Sequence, residues 1–229
     1  AKGEKLAAFG LTEANAGSDA GGVETTAKKE EDYYVLNGTK QWITNGGEAE
    51  IYTIIAATNK RRGSRGLSAF IVEKGMDGFD FGKKEKKMGI RCSATRELVF
   101  QNCKVPKENL LAKEGYGFIV ALRTLDNARP GVAAQALGIA QGAMDAAMDF
   151  ARQRIQFGQP VTGFQAVQHM FADMATQIEA TRALTYAVAR TIDSGTQKDI
   201  AKESAMCKLI ASDTAMKVTT DALQIMGGS

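Results

Sequence analysis

The spacing of apolar residues changes character near residue 110. Up to about Leu110 they fall in short runs separated by Gly, Asn and basic turn residues, which predicts the strands of a small barrel or sandwich. The clearest run, residues 33–36, is followed by Asn37-Gly38 and then by Lys40-Gln41-Trp42-Ile43. Asn-Gly between two such runs predicts a hairpin, because both residues tolerate the positive φ of a type I′ turn. Residues 51–58, 67–72 and 97–100 predict further strands.

After Gly115 the chain turns to Ala, Met, Leu and Gln, and the apolar period becomes helical. Leu137, Ala140, Met144, Ala147 and Ala151 predict one amphipathic helix over about 130–155, with Pro130 either opening it or kinking a longer helix begun near Gly117. Val167, Phe171, Met174 and Ile178 predict a second helix that stops near Ser194-Gly195. Leu209, Met216 and Leu223, at heptad spacing, predict a third. The expected fold class is α+β, with a β domain over 1–110 and an antiparallel helical bundle over 111–229. Bundles of this length usually close with four helices. The third helix runs into Gly227-Gly228-Ser229, so an uncovered apolar stripe, and poor stability or oligomerisation of this segment alone, are expected.

Composition narrows the classes. With 229 residues, 44% apolar and 24% charged, the chain can build an ordinary core and is neither disordered nor collagen-like. Its net charge of +3 gives no argument for nucleic acid or an anionic membrane as partner. No apolar run approaches bilayer length. Residues 1–6 show no signal-peptide pattern and no initiating Met, and the chain reads as a piece of something longer. Cys92, Cys103 and Cys207 form no C-x-x-C pair, which argues against a disulfide frame or a thiolate zinc site and makes a reducing compartment the default. The single histidine, His169, excludes multi-histidine metal sites and reads as an ordinary helix residue, so no metal is expected.

Nucleotide signatures are missing. No G-x-G-x-x-G opens a helix, and residues 78–83 fall one residue short of a P-loop. The basic run 83–87 reads as a solvated face. Two segments rise above this background: Leu11-Thr12-Glu13-Ala14-Asn15-Ala16-Gly17-Ser18-Asp19 and Trp42-Ile43-Thr44-Asn45. Small and hydroxyl residues let a backbone approach a flat ligand, and an indole beside a short hydroxyl can pack on a heterocycle's face and bond its edge. Taken singly, each is better explained as a buried Trp in a barrel and a Thr in a strand.

Together with Lys87-Met88-Gly89-Ile90-Arg91, Val105-Pro106-Lys107-Glu108-Asn109-Leu110-Leu111, Leu125-Asp126-Asn127-Ala128-Arg129 and Arg154-Ile155-Gln156-Phe157-Gly158, these blocks resemble the acyl-CoA dehydrogenases in order and spacing. The resemblance spans essentially the whole chain and is nearest in texture to the short-chain, butyryl-CoA-type enzymes. It implies an N-terminal helical domain that is absent here, a middle β-barrel, and a C-terminal four-helix bundle present without its last helix. It also implies FAD held at the barrel and bundle and across a subunit interface, in a homotetramer or homodimer.

Residue by residue, the resemblance implies that Phe9, Leu11, Thr12 and Ser18 line the flavin, with Ser18 also touching the CoA arm. Trp42 would pack on the ring, Thr44 would bond its N5 edge, and Ile43 lies between. Arg154, Gln156, Phe157 and Gln165 would meet the ADP portion from a neighbouring subunit, and Gln224, Gly227 and Gly228 match a further adenine-side loop. Asp126 and Arg129 match a pair near the thioester arm, the reading favoured on family grounds over the simple ion pair that three-residue spacing on a helix also allows. Ala14 stands where the family usually has Pro.

The implied reaction is α,β-dehydrogenation of an acyl-CoA, with electrons passed to an electron-transfer flavoprotein, in the bacterial cytoplasm or the mitochondrial matrix. No catalytic residue is assigned within the chain. The base is expected in a loop beyond Gly228, since Ala128, the position a minority of relatives use, cannot take a proton, and Glu13 reads as structural. An acyl-CoA oxidase, a DNA-binding flavoprotein and a non-catalytic scaffold are the alternatives on the same fold.

Overall fold

Alternation of apolar and polar residues builds the first half of the chain. In the computed structural model, which describes residues 2–196 and 199–228, eight strands form one mixed sheet. They are β1 (Ala7–Gly10), β2 (Thr26–Lys29), β3 (Tyr33–Thr44), β4 (Ile51–Ala57), β5 (Leu67–Glu73), β6 (Phe79–Phe81), β7 (Thr95–Pro106) and β8 (Leu110–Leu111). The order is β6-β7-β3-β2-β4-β5-β8, with β1 on β4; β1 and β2 run parallel to β4 and the other pairs are antiparallel. This path runs open from β6 to β8, so among the described residues backbone pairing does not close the expected barrel. Ala1 and Ser229, the outermost residues of the two expected domains, lie outside the described residues.

Every second residue of these strands enters one core. Tyr34 and Leu36, Tyr52 and Ile54, Phe70 and Val72, and Leu98 and Phe100 are all buried there. Phe79 stacks on Phe100 at 4.9 Å and meets the edge of Tyr52 at 4.9 Å, contacts worth about 0.5–1.5 kcal/mol each beyond the area they bury.

The expected Asn37-Gly38 hairpin does not form. β3 runs straight through it for 12 residues, Asn37 pairing with Thr26 of β2. Gly38 adopts φ +145° at a register shift against β7, and a Cβ there would lie 2.5 Å from Thr25 Oγ1 and 2.7 Å from Thr25 Cα. The glycine serves a bulge and a close crossing of strands, which leave the same Asn-Gly signature as a turn.

Contacts divide the chain into residues Ala1–Arg123 and Thr124–Ser229. Three helices dominate its later part: α1 (Gly117–Gln153), α2 (Gln165–Ser194) and α3 (Ala201–Met226). The longer of the two alternatives for the first helix is the one formed, with Pro130 inside α1. Proline has no N–H to offer the carbonyl four residues back. That carbonyl is Asp126 O, and buried Ser204 of α3 donates its hydroxyl to it at 2.5 Å. As expected, α2 stops at Gly195, which takes the left-handed conformation at φ 61°.

The apolar stripe read for α3 is left uncovered, as expected, and the helix packs through another face. Leu209, Met216 and Leu223 are exposed, whereas Ser204, Cys207, Ala211, Thr214, Val218, Ala222 and Ile225 are buried. Small residues let the helices approach closely, and Thr214 shares a buried hydrogen bond with Thr181 of α2 at 2.9 Å.

Candidate functional site

The β-rich unit assembles its candidate residues around a defect in β3. Alternation places Tyr34, Leu36 and Lys40 inward. Between Lys40 and Ile43 the register against β7 slips, and Trp42 takes φ +58°, in the left-handed region that few side chains adopt. The extra residue inverts the parity. Ile43 turns into the core, while Trp42, 60% exposed, and Thr44, exposed, point outward. A bulge thus puts an indole and a hydroxyl on one face, which plain alternation would have buried in part.

The Leu11–Thr12 segment lies against this defect. The Gln41 amide donates to Thr12 O at 2.9 Å. Lys40 Nζ donates to Leu11 O at 3.0 Å and to Glu13 Oε1 at 2.6 Å. Glu13 also accepts from the amides of Glu24 (2.7 Å) and Thr25 (3.0 Å). Lys40 is fully buried and Glu13 nearly so. Burial pushes the Lys40 ammonium down to about 8 against the opposing pull of Glu13. Burial alone would raise the Glu13 carboxyl, but the Lys40 charge and the bonds from Lys40, Thr25 and Glu24 outweigh it and hold the group below its ordinary value. Glu13 is therefore committed to structure and unavailable as a base. Of the other expected residues, Phe9 is half-buried on β1, Leu11 is buried, Thr12 is half-exposed, and Ser18 is exposed beyond a small turn in which Glu13 and Ala16 exchange backbone bonds around Ala14-Asn15. Sequence reasoning missed Lys40. Its signal was the parity that places a lysine among inward residues.

In the helical unit, Arg154, Gln156 and Phe157 sit on a short ribbon between α1 and α2, built from β9 (Ile155–Gln156) and β10 (Gln159–Pro160). Phe157 (φ 50°, 93% exposed) and Gly158 (φ 77°) form its tip. Gln165 is the exposed first residue of α2, and Gln224, Gly227 and Gly228 are exposed at the end of α3. Core contacts among Ala151, Val161, Phe171, Ile225 and Met226 gather these three groups at one end of the bundle. Asp126 and Arg129 lie at the other end, separated from Gln153 by about 40 Å of helix at ~1.5 Å per residue. There Arg129 Nη1 donates to Asp126 Oδ1 at 2.6 Å, the simple intrahelical pair. The structure thus brings together the residues expected on the adenine side and keeps them apart from Asp126 and Arg129. His169 is exposed on α2. Among the described residues no cluster of acidic, His and Cys side chains could hold a metal ion, and no helix is long and apolar enough to cross a membrane.

An open sheet carrying a displayed indole, joined in sequence to a bundle of long antiparallel helices, is matched by two family descriptions. The acyl-CoA dehydrogenase middle domain matches residues 8–103 and the acyl-CoA dehydrogenase C-terminal domain matches residues 115–229. The chain belongs to the acyl-CoA dehydrogenase family, whose members are FAD-dependent flavoproteins. It is 54% identical over 228 residues to the short-chain-specific acyl-CoA dehydrogenase of Megasphaera elsdenii, covering 99% of this chain and 59% of that one. It is also 54% identical over 229 residues to the acryloyl-CoA reductase (NADH) of Anaerotignum propionicum, covering 99% and 58%. Among solved structures, the butyryl-CoA dehydrogenase of Megasphaera elsdenii superposes with a TM-score of 0.96 at 54% identity, over 98% of this chain and 58% of that one. The chain therefore spans about three fifths of the length of these relatives.

Proposed function

We propose that the complete gene product carrying this chain binds FAD and interconverts a short-chain acyl-CoA and its α,β-unsaturated counterpart. The observation that carries this reading is the outward, left-handed Trp42 with Thr44 on the same face and Thr12 tied alongside through Gln41. A backbone held in an unfavourable conformation to display an indole fits a flat aromatic guest, since such strain persists where function uses it. FAD, when bound, would supply the acceptor for the β-hydrogen of the CoA thioester. Trp42 would cover one face of the ring, Thr44 would donate to its edge, and Phe9, Leu11 and Thr12 would wall it, while Ile43, whose side chain turns into the core, would meet it through its backbone alone. Fixed donors at that edge favour added electron density without reorganisation. Ser18, Asp126 and Arg129 would orient the CoA arm.

The adenine-side set would serve a neighbouring subunit's FAD. Arg154 offers a guanidinium fork for the pyrophosphate, with Gln156, Phe157, Gln165, Gln224, Gly227 and Gly228 around it. The wide separation of this set from Asp126 and Arg129 supports sharing between copies, and so a homodimer or homotetramer. An electron-transfer flavoprotein is the proposed redox partner. A chain at 56% identity and TM-score 0.97 comes from a study of the electron transferring flavoprotein of Acidaminococcus fermentans. The relatives named above are bacterial, and a cytoplasmic setting is proposed.

The acryloyl-CoA reductase relative favours a second reading, in which the same residues serve reduction of the unsaturated thioester. Purification of the complete gene product should yield a yellow protein. Its visible flavin band should bleach on anaerobic addition of butyryl-CoA and recover with crotonyl-CoA. A colourless protein that takes up no FAD overturns the proposal, and a ratio of the two rates decides the direction.

A further inference from the structure

We propose that the buried Glu13–Lys40 pair is the positioning device of the ring seat. On this reading it sets the spacing between the Leu11–Thr12 backbone and the Trp42 bulge, and so fixes how the flavin ring is gripped. The inference rests on the flavin reading above and adds to it a role for two residues that touch neither ring nor substrate.

The geometry carries the argument. Lys40 stands on β3 two residues before Trp42, and its ammonium reaches Leu11 O at 3.0 Å and Glu13 Oε1 at 2.6 Å, the two residues flanking Thr12. Glu13 is anchored in turn by the amides of Glu24 and Thr25, just ahead of β2. Three segments, residues 11–13, 24–25 and 40–42, thus meet at one ion pair, and the Gln41 amide adds the bond to Thr12 O at 2.9 Å. These bonds tie a half-exposed Thr12 to the strand that displays the indole. A fully buried lysine is costly unless its partners are in place, so the pair stands in one arrangement only. That arrangement holds the Thr12 carbonyl on the Gln41 amide, one residue before the bulge. A bulge disrupts the ladder locally and bends its strand, so a buried ion pair beside it supplies a tie that the ladder does not. The depressed ammonium is consistent with the low-dielectric setting in which such a tie is strongest.

The test uses the complete gene product and its single tryptophan within this chain. Trp42 is the only Trp of the 229 residues, so a reference variant, Trp42→Phe, isolates its emission from any other indole. Lys40→Met, Lys40→Arg and Glu13→Gln are stripped of flavin and titrated with FAD, following quenching of Trp42 emission and the shape of the bound flavin band. The expected result is that Lys40→Met folds, weakens FAD binding by about ten- to a hundredfold, the range seen when supporting partners of a bound metal are lost, and shifts the bound flavin spectrum. Lys40→Arg, which keeps both donors, restores the spectrum and most of the affinity. If Lys40→Met does not fold, Glu13→Gln carries the same expectation, because it keeps the side-chain shape while removing the charge that pairs Lys40 and turning one of the two acceptor oxygens into a donor.

Wild-type affinity and an unchanged spectrum in a folded Lys40→Met or Glu13→Gln protein overturn the proposal, leaving the pair as ordinary core. A wild-type protein that binds no FAD, with no quenching of Trp42, defeats the flavin reading instead, whatever the variants do.

Discussion

The Gln41 amide donates to the Thr12 carbonyl across 2.9 Å, one residue before Trp42 enters the left-handed region at φ +58°. The bond and the bend belong together. Gln41 is turned toward Thr12, and its side chain donates to Glu97 Oε1 at 3.1 Å, because the bulge frees it from the regular ladder. The same bulge throws the indole outward.

Trp42→Gly separates strain from use. Glycine adopts positive φ at no steric cost, and a mostly exposed indole gives up little packing. Stability is therefore expected to hold or to rise by up to about 1 kcal/mol, while FAD affinity falls. Chemical denaturation beside a FAD titration checks both. A loss of more than about 2 kcal/mol would make the indole a packing residue.

Gly38→Ala is expected to destabilise by about 2 kcal/mol or more. The new methyl would sit inside contact distance of the Thr25 backbone at a φ that L-residues avoid. Were residues 37–38 an exposed turn, the cost would fall nearer 1 kcal/mol. A urea midpoint distinguishes the two.

Ser204→Ala removes the hydroxyl that replaces the N–H missing at Pro130. It leaves Asp126 O without that donor, at a cost of about 1–3 kcal/mol. Pro130→Ala in the same background should recover part of the loss, since the alanine N–H can bond the orphaned carbonyl. A double-mutant cycle on thermal melts reads the coupling, and simple additivity would refute the link.

Asp126→Asn tests whether the ion pair with Arg129 does more than decorate α1. The pair is partly exposed and is expected to contribute under about 1 kcal/mol to stability. A KM for butyryl-CoA raised several-fold, with the melting temperature nearly unchanged, supports the proposed substrate role. An unchanged KM reduces the pair to helix surface.

Acid should weaken the β-rich unit through Glu13. Its carboxyl is held below the ordinary 4.5 in the folded chain, so its contribution is present above that value and is lost as pH falls through the lower, folded value. Glu114, held low first by Lys29 and then by Tyr34, adds in the same direction. Melting temperature should decline below about pH 4.5, and Glu13→Gln should start lower and decline less steeply.

Where side-chain size and period agreed, the chain was readable. The strands at 51–57 and 67–73, the start of helical spacing after Gly115 and the stop at Gly195 follow from alternation, composition and a left-handed cap. It misled where one residue type serves two geometries. Asn37-Gly38 signals a turn and a bulge alike, and only the approach of Thr25, distant in sequence, selects between them. On α3 the large apolar residues drew attention to a face that is exposed, while the packed face is written in Ser, Ala, Cys and Thr, which a hydrophobic count undervalues. For the candidate site, Trp42 and Thr44 were identifiable from resemblance, but their common face depends on an inserted residue in β3 that only pairing with β7 reveals. Lys40 went unread although its inward parity marked it, and its partner emerges only where the fold brings Glu13 to it.

The ribbon between α1 and α2 ends in a bare aromatic ring. Phe157 stands at φ 50° where a two-residue loop prefers Asn or Gly, and 93% of it faces solvent. Such an apex is adhesive, and it joins Leu209, Met216 and Leu223 in setting the colloidal behaviour of the naked chain, a share that asparagine would both relax and silence.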